Sequence, residues 1–434
     1  MKTSPISSLL VSLSILFALL FLGVFSLTWK DLGFGERDTK ATTIGRFRAI
    51  GMPTFELGRA EAEFDVSEYQ NEDTVEDEER LPLAYVPDEI LLRVATEEEL
   101  FRLLRLAMAQ GGEFIDAVPA LKTIRLRFAD ADYKARFRDQ LGDAYEAENN
   151  YLVKTPDYPE YETREESDQM LTSFGVDALD WIGISGDHSE WGKGVVVAVL
   201  DSGVYPHVSF EGMTISQMNL LDDVGAEMTN YDSHGTAVAS ISAQVAPAAE
   251  ILSVRVLDSE GIGDSYTVAS GIVAAVDFGA LVINLSIGSY TDSSILSDAV
   301  AYAVDQGVVV VAASGNDGSN APSYPAAYEG VVSVSAVDAD GQIADFSNFG
   351  DTVDLAAPGV GVYAAWDETA AIAMSGTSAA APFVSGAVAA LLSSGQASTG
   401  AEAIDILEAN AIDLGDLGVD SDSGYGALQL GGLF

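Results

Sequence analysis

Four residues of this 434-residue chain have the types needed to transfer an acyl group. Asp201 directly follows the apolar run "VVVAVL", His234 opens "HGTAVAS", Asn316 stands in "AASGNDG", and Ser378 lies in "MSGTSAAAPFVSGAVAALL". Each also has a plain structural reading. Ser378, with Gly376 and Thr377, sits where an apolar helix needs its first N–H groups capped. Asp201 and Asn316 fall beside glycines in turn-forming stretches. His234, one of 3 histidines, opens a run of small residues as a capping or packed imidazole would. Taken together, the four supply a chemistry none has alone. A serine hydroxyl is a poor nucleophile until a base lies within hydrogen-bond reach. Neutral imidazole is such a base, and a carboxylate fixes its tautomer and steadies the imidazolium. The tetrahedral oxyanion then needs prearranged donors, which the Asn316 amide can provide.

Residues so far apart must be brought together by a scaffold, and the hydrophobic pattern describes one. Continuous apolar runs at residues 194–200, 250–257, 280–287, 307–314, 331–337 and 353–359 read as strands. Helical patterns at 265–278 and 294–306 separate several of them. Strands apolar on both faces, alternating with helices, imply an α/β fold with a doubly wound, mostly parallel sheet. Catalysis on such sheets gathers at the carboxyl ends of strands, where Asp201 and Asn316 stand.

The rest of the chain divides by composition. Residues 1–29 begin with Lys2 and continue with an uncharged, largely apolar stretch, including "LLVSLSILFALLFLGVF" at 9–25. This reads as a signal peptide or, at its length, a membrane anchor. Residues 30–80, ending in "NEDTVEDEER", read as an acidic linker. Residues 81–153 form a small α+β domain with the order β-α-β-β-α-β, the ferredoxin-like order. Its first helix starts at Thr96, with Glu99 three residues on, and ends at Gly111 and Gly112. Residues 154–172, with two prolines and many polar and acidic groups, read as an exposed connector open to proteolysis. The α/β domain occupies residues 173–434.

Charge and composition narrow the partners. The formal net charge is −46, from 67 acidic and 21 basic residues. From residue 171 onward only Lys193 and Arg255 are basic, against 34 Asp and Glu. Such a surface repels nucleic acid and anionic membranes, so neither is expected as a partner, and membrane contact is expected only through an uncleaved N-terminal segment. The chain has no cysteine, which excludes a disulfide framework and thiolate metal sites. His188 and His207 read as surface or packing residues, and "SYP" at 323–325 as a turn.

The segments "VVVAVLDSGV", "HGTAVAS", "VINLSIGS", "VVVVAASGNDG" and "MSGTSAAAPFVSGAVAALL" resemble, in order, the catalytic segments of subtilisin-like serine endopeptidases. The order Asp, His, Ser is subtilisin's own and is matched here, not deduced. The resemblance implies a subtilisin-like peptidase domain preceded by an inhibitory propeptide, with Asp201 as orienting acid, His234 as general base and acid, and Ser378 as nucleophile. It makes Asn316 an oxyanion donor beside the Ser378 N–H. It further implies that Ser286, Ile287 and Gly288 line one side of a substrate strand, and the Gly261–Gly263 region the other. Ala312, Ala313 and Gly315 would floor the pocket before the cut. The expected partners are protein or peptide substrates and the chain's own propeptide as intramolecular inhibitor. No cofactor is required for the chemistry. Structural calcium is compatible with so many carboxylates, but no metal ligand is assigned. The chain departs from the family pattern at Ala237 and Phe383, where histidines are usual. The short connection after "HGTAVASISAQ" also leaves no room for a calcium-binding loop found in many relatives. The expected protein is thus an exported serine endopeptidase, secreted or held at the cell envelope, made as a self-inhibited precursor and working through an acyl-enzyme. A catalytically silent, membrane-tethered peptide-binding scaffold is the alternative, and an esterase on the same triad a third reading.

Overall fold

Strands apolar on both faces are stable only where helices cover them, and this protein supplies that cover around one sheet. In the computed structural model, the described residues are 84–156, 171–221, 233–366 and 370–434 apart from residue 416. The segments expected at 1–29 and 30–80, and most of the connector at 154–172, lie outside them. The described chain forms two compact units, one of residues 88–147 and one of residues 148–434 with 84–87.

The small unit follows the expected order. β1 (Tyr85–Arg93) leads to α1 (Glu97–Ala109), β2 (Glu113–Val118), β3 (Thr123–Arg127) and α2 (Ala131–Leu141), and β4 (Ala147–Lys154) begins where the unit ends. Strand order is β2-β3-β1, with antiparallel neighbours. Thr96 caps α1 by accepting the Glu99 N–H, and Glu99 in turn accepts the Ala95 N–H at 2.7 Å. Period-two alternation sorts the faces of β1 and β3. Ile90, Leu92, Ile124 and Leu126 pack with Leu100, Leu103 and Phe137 of the helices. On the other face, Glu89 lies opposite Arg127 and Leu91 opposite Arg125. Glu89 is fully buried, and it accepts from Arg125 Nε at 2.7 Å and from Arg127 Nη2 at 2.7 Å.

In the large unit the strands are β5 (Val196–Asp201), β6 (Ile215–Asn219), β7 (Glu250–Arg255), β9 (Val282–Leu285), β10 (Val309–Ala313), β11 (Val331–Val337) and β12 (Leu355–Pro358). They form one sheet in the order β12-β11-β10-β9-β5-β7-β6, and its six pairings are all parallel. The chain enters at β5, passes to the edge strand β6, returns to β7 beside β5, then crosses to β9 on the other side and builds outward from there. The strand order therefore reverses between β5 and β9, where open α/β sheets leave a crevice at the carboxyl edge.

Helices α4 (His234–Val245), α5 (Ser265–Phe278), α6 (Ser294–Asp305) and α7 (Thr377–Ser394) accompany this sheet, with shorter α3 (Ala178–Trp181) and α8 (Gly400–Asn410). A short strand β8 (Ile262–Asp264) precedes α5, and β13 (Val362–Ala365) and β14 (Ala371–Met374) pair antiparallel. Among the described residues, α7 is the one helix long and apolar enough to cross a membrane, but 83% of it is buried inside the protein. It is the core helix of the unit. Phe383, at a position where the family usually has histidine, is fully buried in that core, as is Ala237 of α4.

Candidate active site

The carboxyl edge of the sheet gathers the four residues through short, local devices. Asp201 is the last residue of β5 and fully buried. Its carbonyl accepts the Val256 N–H at 2.9 Å, which holds the strand end beside the end of β7. Its carboxylate accepts from Ser202 N at 2.7 Å and Ser202 Oγ at 3.1 Å. His234 Nδ1 lies 2.9 Å from both carboxylate oxygens, and the ring is 1% exposed. With Nδ1–H donated to a carboxylate, Nε2 is left as the acceptor, the tautomer a general base requires.

His234 can come so close because Gly235 follows it. A Cβ at Gly235 would fall 2.3 Å from the Gly203 carbonyl and 3.0 Å from Asp201 Cβ. The Gly235 N–H donates to Ser202 Oγ at 3.1 Å, so Ser202 joins the helix start to the Asp201 turn.

Ser378 is the second residue of α7, and capping does not account for it. The cap position is Gly376, at φ 135°, which has no side chain to cap the helix. Ser378 Oγ instead reaches the Ser286 carbonyl at 3.5 Å, a long contact that leaves the hydroxyl loosely held. Its backbone carbonyl is fixed differently. Pro382 stands four residues on, so the helical donor to the Ser378 carbonyl is missing. Ser286 Oγ fills the vacancy at 3.2 Å, receives a hydrogen bond from Asn284 Nδ2 at 3.0 Å, and Ser385 Oγ donates to Asn284 Oδ1 at 2.9 Å. These hydroxyls and the amide are buried, and they tie the first and third turns of α7 to the end of β9.

α4 and α7 run the same way. Ser242 Oγ donates to the Pro382 carbonyl at 3.0 Å, and a Cβ on Gly386 would meet Val245 Cβ at 2.6 Å. The first turns of both helices, carrying His234 and Ser378, therefore open at the same edge.

Asn316 follows β10, and its amide is oriented by Thr377. The Thr377 N–H and Oγ1 both donate to Asn316 Oδ1 at 2.9 Å. This assigns the other end of the amide as Nδ2, the donor. A Cβ on Gly376 would fall 2.9 Å from that nitrogen, so glycine keeps the amide's approach open. Asn348 shapes the same loop, accepting from Asp317 N at 3.0 Å and Ser319 N at 3.1 Å and donating to the Ser314 carbonyl at 3.0 Å. Gly315, at φ 111°, has room only for hydrogen, since a Cβ would meet Asn348 Nδ2 at 2.2 Å.

The two rims expected to grip a peptide already hold one strand of the chain. Residues 148–155 run antiparallel to β8, pairing Leu152 with Asp264, Val153 with Gly263 and Lys154 with Ile262. On the other side, the Lys154 N–H donates to the Gly288 carbonyl at 3.1 Å and the Gly288 N–H to the Lys154 carbonyl at 2.8 Å. The Thr155 N–H donates to the Gly261 carbonyl at 2.9 Å. Upstream, Glu148 accepts the N–H groups of Ser294 and Ile295 at the start of α6, and Asn150 Oδ1 accepts that of Tyr266. Gly261, Gly263 and Gly288 thus touch this strand through backbone, while Ser286 and Ile287 lie buried on the rim that continues toward Ser378. Ala312 and Ala313 are buried residues of the β10 ladder, and the Gly315 N–H donates to Thr377 Oγ1 at 3.1 Å.

Ser202, Asn348, Asn284 and Ser385 are absent from the residues singled out by sequence, and Thr377 was read there only as a helix-capping residue. Only Thr377 carried a signal, as part of the Gly-Thr-Ser run. His188 and His207 are packing residues. His188 Nε2 contacts the Gln244 carbonyl at 3.1 Å, and His207 Nδ1 accepts the Ser209 N–H at 3.0 Å. Among the described residues no three His, Asp or Glu side chains cluster as metal ligands, and four residues, Ala246 to Ala249, join α4 to β7.

A parallel α/β sheet with a carboxylate-bound imidazole and a helix-borne serine at its switch point defines the hydrolase class to which the comparisons point. Residues 192–426 match the model of the subtilase family, Peptidase_S8, and the chain belongs to that family. Thermitase of Thermoactinomyces vulgaris is 39% identical over 219 residues, covering 48% of this chain and 78% of thermitase. The minor extracellular protease Epr of Bacillus subtilis (strain 168) is 37% identical over 248 residues, covering 55% of this chain but only 38% of Epr. In structure, the chain resembles fervidolysin from Fervidobacterium pennivorans, a keratinolytic enzyme related to subtilisin. The TM-score is 0.68 at 26% identity, covering 80% of this chain and 60% of fervidolysin.

Proposed function

We propose that this chain is an exported serine endopeptidase, made as a precursor held inactive by its own N-terminal part. The reading rests above all on the fully buried Asp201–His234 pair, with both carboxylate oxygens at 2.9 Å from Nδ1. A protein that only bound peptides would have no use for a desolvated carboxylate trained on an imidazole. In the reaction, the Ser378 hydroxyl turns from the Ser286 carbonyl to His234 Nε2, which takes its proton as Oγ attacks the scissile carbonyl. Asp201 steadies the imidazolium. The oxyanion is met by Asn316 Nδ2 and the Ser378 N–H. His234 then gives the proton to the departing amine, leaving an ester on Ser378. Water, deprotonated by the same imidazole, hydrolyses that ester and frees the acid.

Substrate peptides bind as an added strand between residues 261–263 and 286–288, through main-chain hydrogen bonds that tolerate many side chains. Residues 148–155 make that pattern of bonds, which supports both the cleft and the self-inhibition. Export is supported by the basic and apolar start of the chain, and the relative Epr is extracellular by name. A fluorophosphonate probe tests the activity. It should label wild type at Ser378 and leave Ser378→Ala unlabelled; a wild type that resists the probe and cuts no peptide would rule out the enzyme and leave the binding scaffold.

A further inference from the structure

We propose that the precursor is cut between Pro156 and Asp157, and that Pro156 is built into the cleft as a brake on this cut. The inference rests on the peptidase reading above and concerns where and how fast that site acts on its own chain.

The register carries it. Lys154 and Gly288 exchange both of their backbone hydrogen bonds, at 3.1 and 2.8 Å. In an antiparallel pair such doubly bonded positions recur every second residue. Two steps toward the nucleophile, the ladder sets Pro156 opposite Ser286. The Ser286 carbonyl is the group that Ser378 Oγ contacts at 3.5 Å. The acyl carbon that the ladder brings to Ser378 is therefore that of Pro156. The Thr155 N–H, bonded to the Gly261 carbonyl at 2.9 Å, fixes the opposite edge in the same register.

The next rung of this ladder would be a hydrogen bond from residue 156 to the Ser286 carbonyl. Proline has no N–H to give. The rung stays unmade, and the Ser286 carbonyl is left to the Ser378 hydroxyl. A bound segment that lacks the last rung beside the reacting carbonyl is held firmly upstream and loosely where alignment matters. It binds well and reacts slowly, which is what an inhibitory segment requires. When the reaction occurs, Ser378 Oγ bonds to the Pro156 carbonyl carbon and its proton passes through His234 to the Asp157 nitrogen as the C–N bond breaks. Water then cleaves the ester, leaving a Pro156 carboxylate and a new N-terminus at Asp157.

The test uses the full chain, held in denaturant and refolded by dilution, with the new N-termini mapped by mass spectrometry over time. Wild type should give a fragment beginning at Asp157. Pro156→Ala should give the same fragment about fivefold faster, since the restored rung is one ordinary hydrogen bond. Thr155→Pro, which removes the bond to Gly261, should slow the cut by a similar factor, and this second variant decides the register if Pro156→Ala fails to fold. A wild-type fragment beginning elsewhere overturns the proposal, as does a Pro156→Ala chain cut no faster than wild type. Fluorophosphonate labelling of the same samples separates the two claims. A labelled chain cut at another bond refutes the register alone, whereas an unlabelled and uncut wild type, or a Ser378→Ala chain cut like wild type, refutes the self-processing peptidase.

Discussion

The interior of the small unit and the active-site edge of the large one bury polar groups by different means. The small one places ions in its interior. Glu89 is fully buried beneath Arg125 and Arg127, and Lys134 of α2 is 6% exposed. The large one, despite its acid excess, lines its site with neutral hydroxyls and amides: Ser202, Asn284, Ser286, Thr377 and Ser385. Its buried ionic device at the site is the Asp201–His234 pair. Buried ions cost several kcal/mol in desolvation and return it only through exact partners, whereas a hydroxyl costs far less and can serve two neighbours. The difference teaches where each unit is fragile. Losing one partner should unfold the small unit, while in the large unit it should spoil alignment and leave the fold standing.

The largest expected effect falls on chemistry. His234→Ala should lower kcat by about 10⁶-fold, a figure carried over from subtilisin, where the equivalent loss is known. That is about 8 kcal/mol of transition-state stabilisation. Amide hydrogen exchange of the large unit should be unchanged, and a collapse of its protection would show that the pair also holds the fold. Next comes Glu89→Ala, which removes the fully buried carboxylate that Arg125 and Arg127 share and should cost the small unit about 3–5 kcal/mol. Exchange of the β1 and β3 amides in the full chain, carrying Ser378→Ala to keep it intact, measures this. Protection within 1 kcal/mol of the parent would erase the contrast between the units. Asn316→Ala should then reduce kcat about 10² to 10³-fold with KM little changed, again a range transferred from subtilisin. Peptide hydrolysis checks it, and a loss confined to KM would move Asn316 from the oxyanion to the substrate.

How legible each unit was follows from the same contrast. A fully apolar strand announces itself, so Val331–Val337 and Ser265–Phe278 are found with the bounds the pattern predicts. The edge strand Ile215–Asn219, with polar Ser216, Gln217 and Asn219, is partly solvated and offers no continuous apolar run to find it by. The three-residue β8 is too short for any period, yet it pairs antiparallel with residues 152–154. Asp201, His234, Asn316 and Ser378 stand out in the sequence because chemistry restricts their types and the resemblance fixes their order. Thr377, Asn348 and Ser385 do not, since a serine or asparagine means nothing until folding brings its partner within 3 Å. Glu89, set in "PDEILLR", looks like a solvated residue at a strand start. Only the register with β3, which puts Arg127 opposite, makes it a buried ion.

The smallest effects are in pH, and there the units should respond with opposite slopes. Burial, reinforced by nearby Arg138, pushes the Lys134 ammonium down to about 8, against the pull of Asp88 and Glu89. Between that value and the ordinary 10.5, the unfolded small unit holds more protons than the folded one, so its stability rises with pH through this window. Burial pushes the Asp354 carboxyl up to about 6, although it accepts the Ser333 N–H at 2.8 Å. Between the ordinary 3.8 and that value, the folded large unit holds more protons than the unfolded one, so its stability falls as pH rises. Each shift corresponds to about 3 kcal/mol across its window. Unit-resolved exchange or melting at pH 4, 6, 8 and 10 should give both slopes, flattened by Asp354→Asn in the large unit and by Lys134→Met in the small. A parallel slope in both units would mean that overall charge, and not these two buried groups, sets the response. The −46 formal charge makes that rival concrete, and salt separates them: screening flattens a response to distant charges but leaves a desolvation effect nearly intact.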